Sequence, residues 1–313
     1  MTTRRPVKVG LFLPGVEGAF AGGTATWRDI TEVARAAEDL GFDSLWVPDH
    51  MIFEPDGLGE ARLGSWDAWA WLAGLAAVTN RVEIGPLVAC TSFRNPAMIA
   101  KVADTIDDMS NGRLILGLGA GWNEPEYRSF GFRFDHRVAR FEEAFTIIRT
   151  LLQDGFIDFT GTYYQARDCE LRPRAARPGG PPLLLGSKGE RMLRIALPYV
   201  QQWNMWATEK QSPTDDIPPV RDMVDRSCLE VGRDPASLIR TATLHIQVDG
   251  AVGRTPNFPG WSKNPLRGSA TELADIMRAY AAEGISHIQV ELDPGTVDGV
   301  KKLAEVLREL ERG

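Results

Sequence analysis

Apolar and polar positions along this chain fall into a repeating unit, a short run rich in Val, Ile and Leu followed by a longer stretch with apolar residues at helical spacing. The clearest copy runs from Val82 to Trp122. VEIGPLVAC and RLILGLGAGW read as two apolar strands, and NPAMIAKVADTIDDMSNG between them places Met98, Ile99, Val102, Ile106 and Met109 on one face of a helix. Asn95 is the expected N-cap, Pro96 occupies the first helical position, where its missing N–H costs nothing, and Gly112 follows the end. A helical crossover between two strands makes them parallel neighbours, so both carboxyl ends point to one side.

The unit recurs. VKVGLFLP precedes a predicted helix over Trp27–Leu40, SLWVPDH precedes Asp67–Thr79, and a helix over Arg137–Leu152 follows the strand that ends at Trp122. PPLLLGS precedes Glu190–Leu197, QQWNMWA precedes a helix near Pro219–Val231, TATLHIQV precedes Thr271–Ala282, and SHIQVEL precedes one near Val297–Leu310. Eight strands, each followed by a helix, predict a (β/α)8 TIM barrel, which needs about 250 residues plus rim insertions. A doubly wound sheet is the alternative, but it rarely needs so many regular repeats. The chain of 313 residues, 43% hydrophobic, is long enough to bury a large core, and its even alternation without a linker predicts one domain over residues 1–313.

Composition narrows the classes. Met1-Thr-Thr-Arg-Arg leads straight into a strand, which argues against a signal peptide, and no apolar run is long enough to span a bilayer, so a soluble, cytoplasmic protein without a membrane partner is expected. Cys90, Cys169 and Cys228 lack metal-ligand spacing and cannot pair completely, so they are expected to be packing thiols, with no metal site. A net charge of −7 argues against nucleic acid as a partner. The arginine-rich ELRPRAARPGG is the local exception, and it precedes a strand, away from the catalytic rim of a barrel.

In a barrel the chemistry sits at the carboxyl ends of the strands. In this chain those ends carry Gly15 and Glu17, Asp49 and His50, Ala89 to Ser92, Gly119 to Glu124, Gly186 to Gly189, Trp206 and Thr208, Asp249, and Glu291 with Asp293. His50 is the candidate proton carrier, because a histidine titrating near neutrality can take a proton from an alcohol as hydride leaves its carbon; the plainer alternative is a packing ring. Asp49 is better suited to orienting the loop or bonding a cofactor. The turn Gly186-Ser187-Lys188-Gly189 joins a strand to a helix, so backbone N–H groups, the Ser187 hydroxyl and the Lys188 charge converge there as a candidate anion site. An ordinary helix cap with a solvated lysine is its alternative.

GLGAG, Gly117 to Gly121, has the look of a dinucleotide fingerprint, but no helix is read directly after it, since NEPEYRSFGFRF intervenes, and it follows the fourth strand instead of a chain-opening one. It reads instead as a strand end whose glycines make room for a flat ring. His245 and His287 lie in or at the start of strands and read as core residues, and His136 sits beside Asp135, the expected N-cap of its helix. Of nine tryptophans, Trp27, Trp69 and Trp71 fall on helix faces, whereas Trp66, Trp122, Trp206 and Trp261 fall in rim loops or at strand ends. Such flat apolar walls favour a hydrophobic or aromatic substrate, against the alternative of core packing. Met51–Ser65 and Asp249–Gly268 are too long for simple turns and are expected to cover the mouth of the barrel.

SLWVPDH, IGPLVACTSFRNPAMIAKVADTIDDMSNGRLILGLGAGWNE, ARFEEAFTIIRTLL with its FTGTYY sequel, and PPLLLGSKGERMLRIA occur in order over nearly the whole chain. Together they resemble the bacterial-luciferase-like superfamily, and most closely its actinobacterial branch of coenzyme F420-dependent oxidoreductases. The resemblance implies a TIM barrel, expected as a homodimer, that binds F420 and transfers two electrons as hydride to or from a small organic substrate. Other branches are monooxygenases that use reduced FMN and oxygen and need a separate flavin reductase; a flavin-binding barrel without catalysis is a third class. The resemblance further implies catalytic roles for His50 and Asp49, and a cofactor phosphate on Gly186, Ser187, Lys188 and Gly189, with Arg191 beside them. It places the ring against Leu87, Val88 and Ala89 on one side and Gly119, Ala120, Gly121 and Trp122 on another, with a non-prolyl cis peptide at Leu87–Val88. Lys188, Arg191 and Lys210 are the charges available to guide the polyglutamate tail of F420. Two positions depart from the pattern. The acid expected after the strand-4 glycines is Trp122, which makes Glu124 the candidate acid, and the tryptophan expected four residues after His50 is Glu54, with Phe53 beside it. Both directions of hydride transfer are left open.

Overall fold

Strand 1 (Lys8–Phe12) lies between strand 2 (Ser44–Val47) and strand 8 (Ile285–Asp293). The parallel order continues from strand 8 through strand 7 (Ile239–Gln247), strand 6 (Gln202–Trp206) and strand 5 (Leu183–Leu185) to strand 4 (Leu116–Gly119). Strand 3 changes partner along its length: Glu83–Pro86 pairs with strand 2, Ala89–Cys90 pairs with strand 4, and the Leu87–Val88 peptide between the two parts is cis. The ring closes where the Ile115 N–H donates to the Ile84 carbonyl at 2.9 Å and the Ile84 N–H donates to the Arg113 carbonyl at 3.0 Å. The result is the (β/α)8 TIM barrel expected from the alternation. This computed structural model describes residues 5–54, 62–206, 214–215, 217–251 and 265–312.

The outer helices are α1 (Trp27–Asp39), α2 (Ala68–Val78), α3 (Pro96–Met109), α4 (Glu124–Phe130), α5 (Arg137–Asp154), α6 (Glu190–Ala196), α7 (Ile217–Glu230), α8 (Ala270–Ala282) and α9 (Val297–Arg312). Their starts follow local chemistry. Thr26 and Asp29 form a reciprocal capping box at α1, Ser269 and Glu272 do the same at α8, and the Asn95 side chain accepts from the N–H groups of Ala97 and Met98 at α3. The buried face of α3 is Ile99, Ala100, Ala103 and Ile106, while Met98 and Met109, placed on that face by spacing alone, lie at its edges and are 55% and 46% exposed. Among the described residues no helix is long and apolar enough to cross a membrane.

Two local expectations are corrected. A helix does open directly after the strand-4 glycines: α4 begins at Glu124, with Pro125 in its first turn, and ends at Gly131 in the left-handed conformation (φ 77°). Asp135 does not cap α5; His136 takes the cap position at φ 53°, and the Asp135 carboxylate instead receives Arg140 at 3.1 Å. The arginines of the basic segment before strand 5 are engaged by neighbouring groups. Arg174 donates to the Leu152 carbonyl at 2.8 Å, Arg177 pairs with buried Asp107 at 3.3 Å, and Arg172 pairs with Glu170. Arg174 ties that segment to α5 and Arg177 ties it to α3, while the Arg172 pair lies within the segment. The antiparallel hairpin Phe156–Thr160 with Gln165–Glu170 just before it was also not foreseen.

The inner layer of the barrel is partly polar. Ser44 Oγ accepts from the Trp46 indole N–H at 2.7 Å and lies within hydrogen-bond reach of His287 Nε2, at 2.7 Å. Burial, helped by Lys8, pushes His287 down to about 3 from an ordinary 6.5, which keeps the imidazole neutral near neutral pH. Because protons bind the unfolded chain first as pH falls, the contribution of neutral His287 to stability is intact above about 6.5 and is lost progressively between about 6.5 and about 3. Over that range the unfolding free energy of the native protein should fall more steeply than that of His287→Gln, by about 1.4 kcal/mol per pH unit, in urea titrations. Parallel pH slopes for the two proteins would contradict a neutral buried His287.

Candidate active site

A cavity of about 560 Å³ opens at the carboxyl ends of the strands. Its wall takes Phe12 from strand 1, Asp49 and His50 after strand 2, Leu87, Val88 and Cys90 from strand 3, Gly119 to Trp122 after strand 4, Gly186 to Gly189 after strand 5, Asn204 and Trp206 from strand 6, and Glu291 from strand 8. Most residues singled out at the strand ends therefore meet at one place. Ala89 does not line the cavity. It is flanked by Val88 and Cys90, which do, so its methyl points the other way, into the packing beneath the outer helices.

Val88 shapes the cavity floor. A Cβ on Gly119 would lie 2.8 Å from Val88 Cγ2, and one on Gly186 would lie 2.8 Å from Val88 Cγ1. No real side chain tolerates that separation, so glycine is required on strands 4 and 5 to seat the two methyls. Gly119, read as space for a ring, and Gly186, read as part of the anion turn, both leave room for the Val88 methyls, and Val88 is a surface that a ring would meet.

His50 lines the same cavity. Its ring is 4.4 Å from Phe53 and 5.6 Å from Trp122, centroid to centroid, and its Nδ1 is 2.9 Å from Glu126 Oε1. Glu126 is 1% exposed, and its other oxygen accepts the Met51 N–H at 2.9 Å. Glu124 is exposed on the outside of α4, away from the cavity lining; the carboxylate that meets His50 is two residues further on, one helical step toward the inside. Sequence reasoning missed Glu126 because no helix was read over NEPEY. The proline and the two acids in that first turn were the available signal.

Asp49 is buried. Its carboxylate accepts the Cys90 N–H at 2.9 Å and the Arg94 guanidinium at 3.1 Å. Burial pushes this carboxyl up from its ordinary value, while Arg94 and the Cys90 amide work to hold it down. The group thus braces the end of strand 2 against strand 3. The Cys90 thiol, 3.0 Å from the Tyr127 hydroxyl, is pushed up to about 12 by burial and stays protonated, as a packing thiol should.

At the strand-5 turn, the Ser187 hydroxyl accepts the Gly189 N–H at 3.2 Å and the Ser187 carbonyl accepts the Trp203 indole N–H at 2.7 Å. Gly189 caps α6 without any side-chain acceptor, so the N–H groups of that first turn are not spent on a cap. Lys188 lies on the exposed rim of the cavity. Arg191 is outside the lining and pairs with Glu142 at 2.8 Å. The cavity receives a different cation, Arg137, which donates to the Gly121 carbonyl at 2.7 Å.

The remaining strand-end residues separate cleanly. Trp206 lies 6.2 Å from Phe12 edge to face, and its buried indole N–H has no acceptor among the described residues. Trp66 faces away from the cavity, donating to the Ala25 carbonyl at 2.9 Å. Glu17 is committed to the Gly64 N–H at 2.5 Å, and Asp293 accepts from Gln247 at 3.0 Å. Thr208, Lys210 and Trp261 lie outside the described residues. Among the described residues no group of three or more His, Cys, Asp or Glu side chains is placed to hold a metal.

Comparison with known proteins agrees with this architecture. A solved F420-dependent secondary alcohol dehydrogenase, in complex with an F420-acetone adduct, superposes with a TM-score of 0.77 over 97% of this chain and 99% of its own at 20% identity, a likeness of fold. Among curated sequences, an F420-dependent glucose-6-phosphate dehydrogenase of Amycolatopsis mediterranei is 39% identical over 155 residues, 48% of this chain and 45% of that protein. The chain thus spans about half the length of the first such relatives it matches. The pyrimidine monooxygenase RutA of a Caulobacter species is 29% identical over 298 residues, 89% of this chain and 81% of that protein. Residues 7–251 match the model of the luciferase-like monooxygenase family, and with a barrel of that type around them, the chain belongs to that family.

Proposed function

We propose that this protein is an F420-dependent oxidoreductase that transfers hydride between the deazaflavin and a small hydrophobic or aromatic organic substrate. The observation that carries this reading is that His50 and the Gly186–Gly189 turn open on the same cavity, one able to move a proton and the other rich in backbone N–H groups. Val88, Leu87 and Phe12 present an apolar wall to that cavity, and the Trp206 indole N–H has no acceptor among the described residues. A flat ring with carbonyl acceptors at its edge and an anionic group at its far end suits these surfaces. When bound, F420 supplies a ring carbon that accepts or gives hydride. The relatives named for F420 support this choice of cofactor; the match to RutA supports the second reading, a flavin monooxygenase.

The residues divide the work. Val88 and Leu87 support one face of a ring and keep water from it. Ser187, Gly189 and Lys188 hold an anion on the rim through N–H donors and charge. Phe53 and Trp122 flank His50 with apolar surface, which favours an uncharged, apolar substrate at that end. His50 takes the hydroxyl proton of an alcohol or returns it to a carbonyl.

Spectral titration with F420 and with FMN tests the cofactor. F420 should bind more tightly, its affinity should fall as salt rises, and Lys188→Gln should remove part of that salt dependence. Tighter FMN binding, with oxygen consumed once a reductase is supplied, would move the function to the monooxygenase reading. Ser187→Pro, which removes a backbone N–H from the turn, should abolish F420 binding while the circular dichroism spectrum is unchanged; unaltered affinity would place the anion elsewhere. His50→Ala should lower turnover by about 10²–10⁴ with little change in cofactor affinity. Equal turnover by this variant would make His50 a packing residue.

A further inference from the structure

The segment that opens α4 holds the loop after strand 2 at three points. Glu126 Oε1 meets His50 Nδ1 at 2.9 Å, Glu126 Oε2 accepts the Met51 N–H at 2.9 Å, and the Asn123 side-chain amide donates to the Ile52 carbonyl at 2.7 Å. The Glu126 carboxylate is almost completely removed from solvent, at 1% exposure, and both its oxygens are directed at consecutive residues of one loop. An ionised carboxylate only accepts hydrogen bonds, so the bond to His50 requires the imidazole proton to reside on Nδ1. Nε2 is then the nitrogen with the lone pair, on a ring that lines the cavity and has no other hydrogen-bond partner among the described residues.

We infer that Glu126 is a positioning residue for the reaction proposed above: it fixes the His50 tautomer and ring orientation so that Nε2 is the proton acceptor. The inference rests on that reaction only for its kinetic consequence. When an alcohol is oxidised, its C–H bond breaks and the electron pair leaves as hydride to oxidised F420. The O–H bond breaks toward His50 Nε2, and the C–O bond becomes a carbonyl. His50 is left as an imidazolium whose charge faces the Glu126 carboxylate, so no further oxidant or base is needed. Glu126 touches neither substrate nor cofactor and acts through His50 alone.

Glu126→Gln separates this role from mere packing. The amide is nearly isosteric with the carboxylate, but its oxygen is needed by the Met51 N–H, which turns its NH₂ toward His50 Nδ1. Nδ1 must then accept, and the ring proton moves to Nε2. Long-range proton–nitrogen correlation spectra of protein labelled with ¹⁵N-histidine read the tautomer directly, and with four histidines in the chain the His50 signals are assigned by their loss in His50→Gln. The native protein without cofactor should show His50 as the Nδ1–H form and Glu126→Gln as the Nε2–H form. An Nε2–H ring in the native protein, or the same tautomer in both, would overturn the inference, and the native spectrum decides even if the variant does not fold. With F420 and a turned-over substrate, Glu126→Gln should lower kcat by at least tenfold with KM nearly unchanged; an unchanged kcat would overturn the inference. The expected tautomers together with no F420 turnover in the native protein would support the role of Glu126 and count against the proposed function.

Discussion

The close approach of Val88 to two neighbouring strands is the constraint on which the site depends. Strand 3 pairs with strand 2 in its first half and with strand 4 in its second, and Val88 lies at the change of partner with its methyls packed where Gly119 and Gly186 have no side chains. A larger residue at either glycine would force strand 3 away from the barrel axis, because packed interiors do not yield by most of an ångström. With the glycines in place, Val88 and Cys90 face the cavity, Ala89 faces the helices, and the strand-4 and strand-5 turns are drawn to the same rim.

Around that floor, buried carboxylates fix the loops. Asp49 joins the end of strand 2 to the Cys90 amide and to Arg94, and Glu126 joins the next two residues of the same loop to α4. Farther from the mouth, Glu38 accepts the N–H groups of Asn80, Arg81 and Val82, and these bonds hold its carboxyl below the ordinary value despite partial burial. Each acceptor satisfies backbone donors that a loop would otherwise leave exposed or unpaired, so loops of irregular sequence acquire single positions. A site formed on loops can in this way hold its groups as firmly as one formed on strands.

The order of strands and helices was legible because parallel strands buried on both faces read as apolar runs and the helices between them carry a regular period. VEIGPLVAC and NPAMIAKVADTIDDM are the clearest cases, and the residues at the strand ends followed from barrel geometry. What escaped was set by short or exposed elements. α4 has only seven residues, too few for a period, so Glu126 went unnoticed while its exposed neighbour Glu124 drew attention. The hairpin after α5 keeps most of its residues exposed and so carries little alternation. At Gly119 and Gly186 the limit is of a different kind: a glycine shows that something approaches closely, but not whether it is a ligand or the side chain of a residue thirty or more positions away, as Val88 is.

The central claim is that one cavity brings an apolar floor, an anion-holding turn and a proton-carrying histidine to a single ligand. A crystal structure of the protein grown with F420 tests it most directly. The account predicts the deazaflavin ring lying against Val88, its phosphate bonded to the backbone of Ser187 to Gly189, and His50 Nε2 directed at the space beside the ring. A ring bound away from Val88, or a phosphate held elsewhere on the rim, would contradict it.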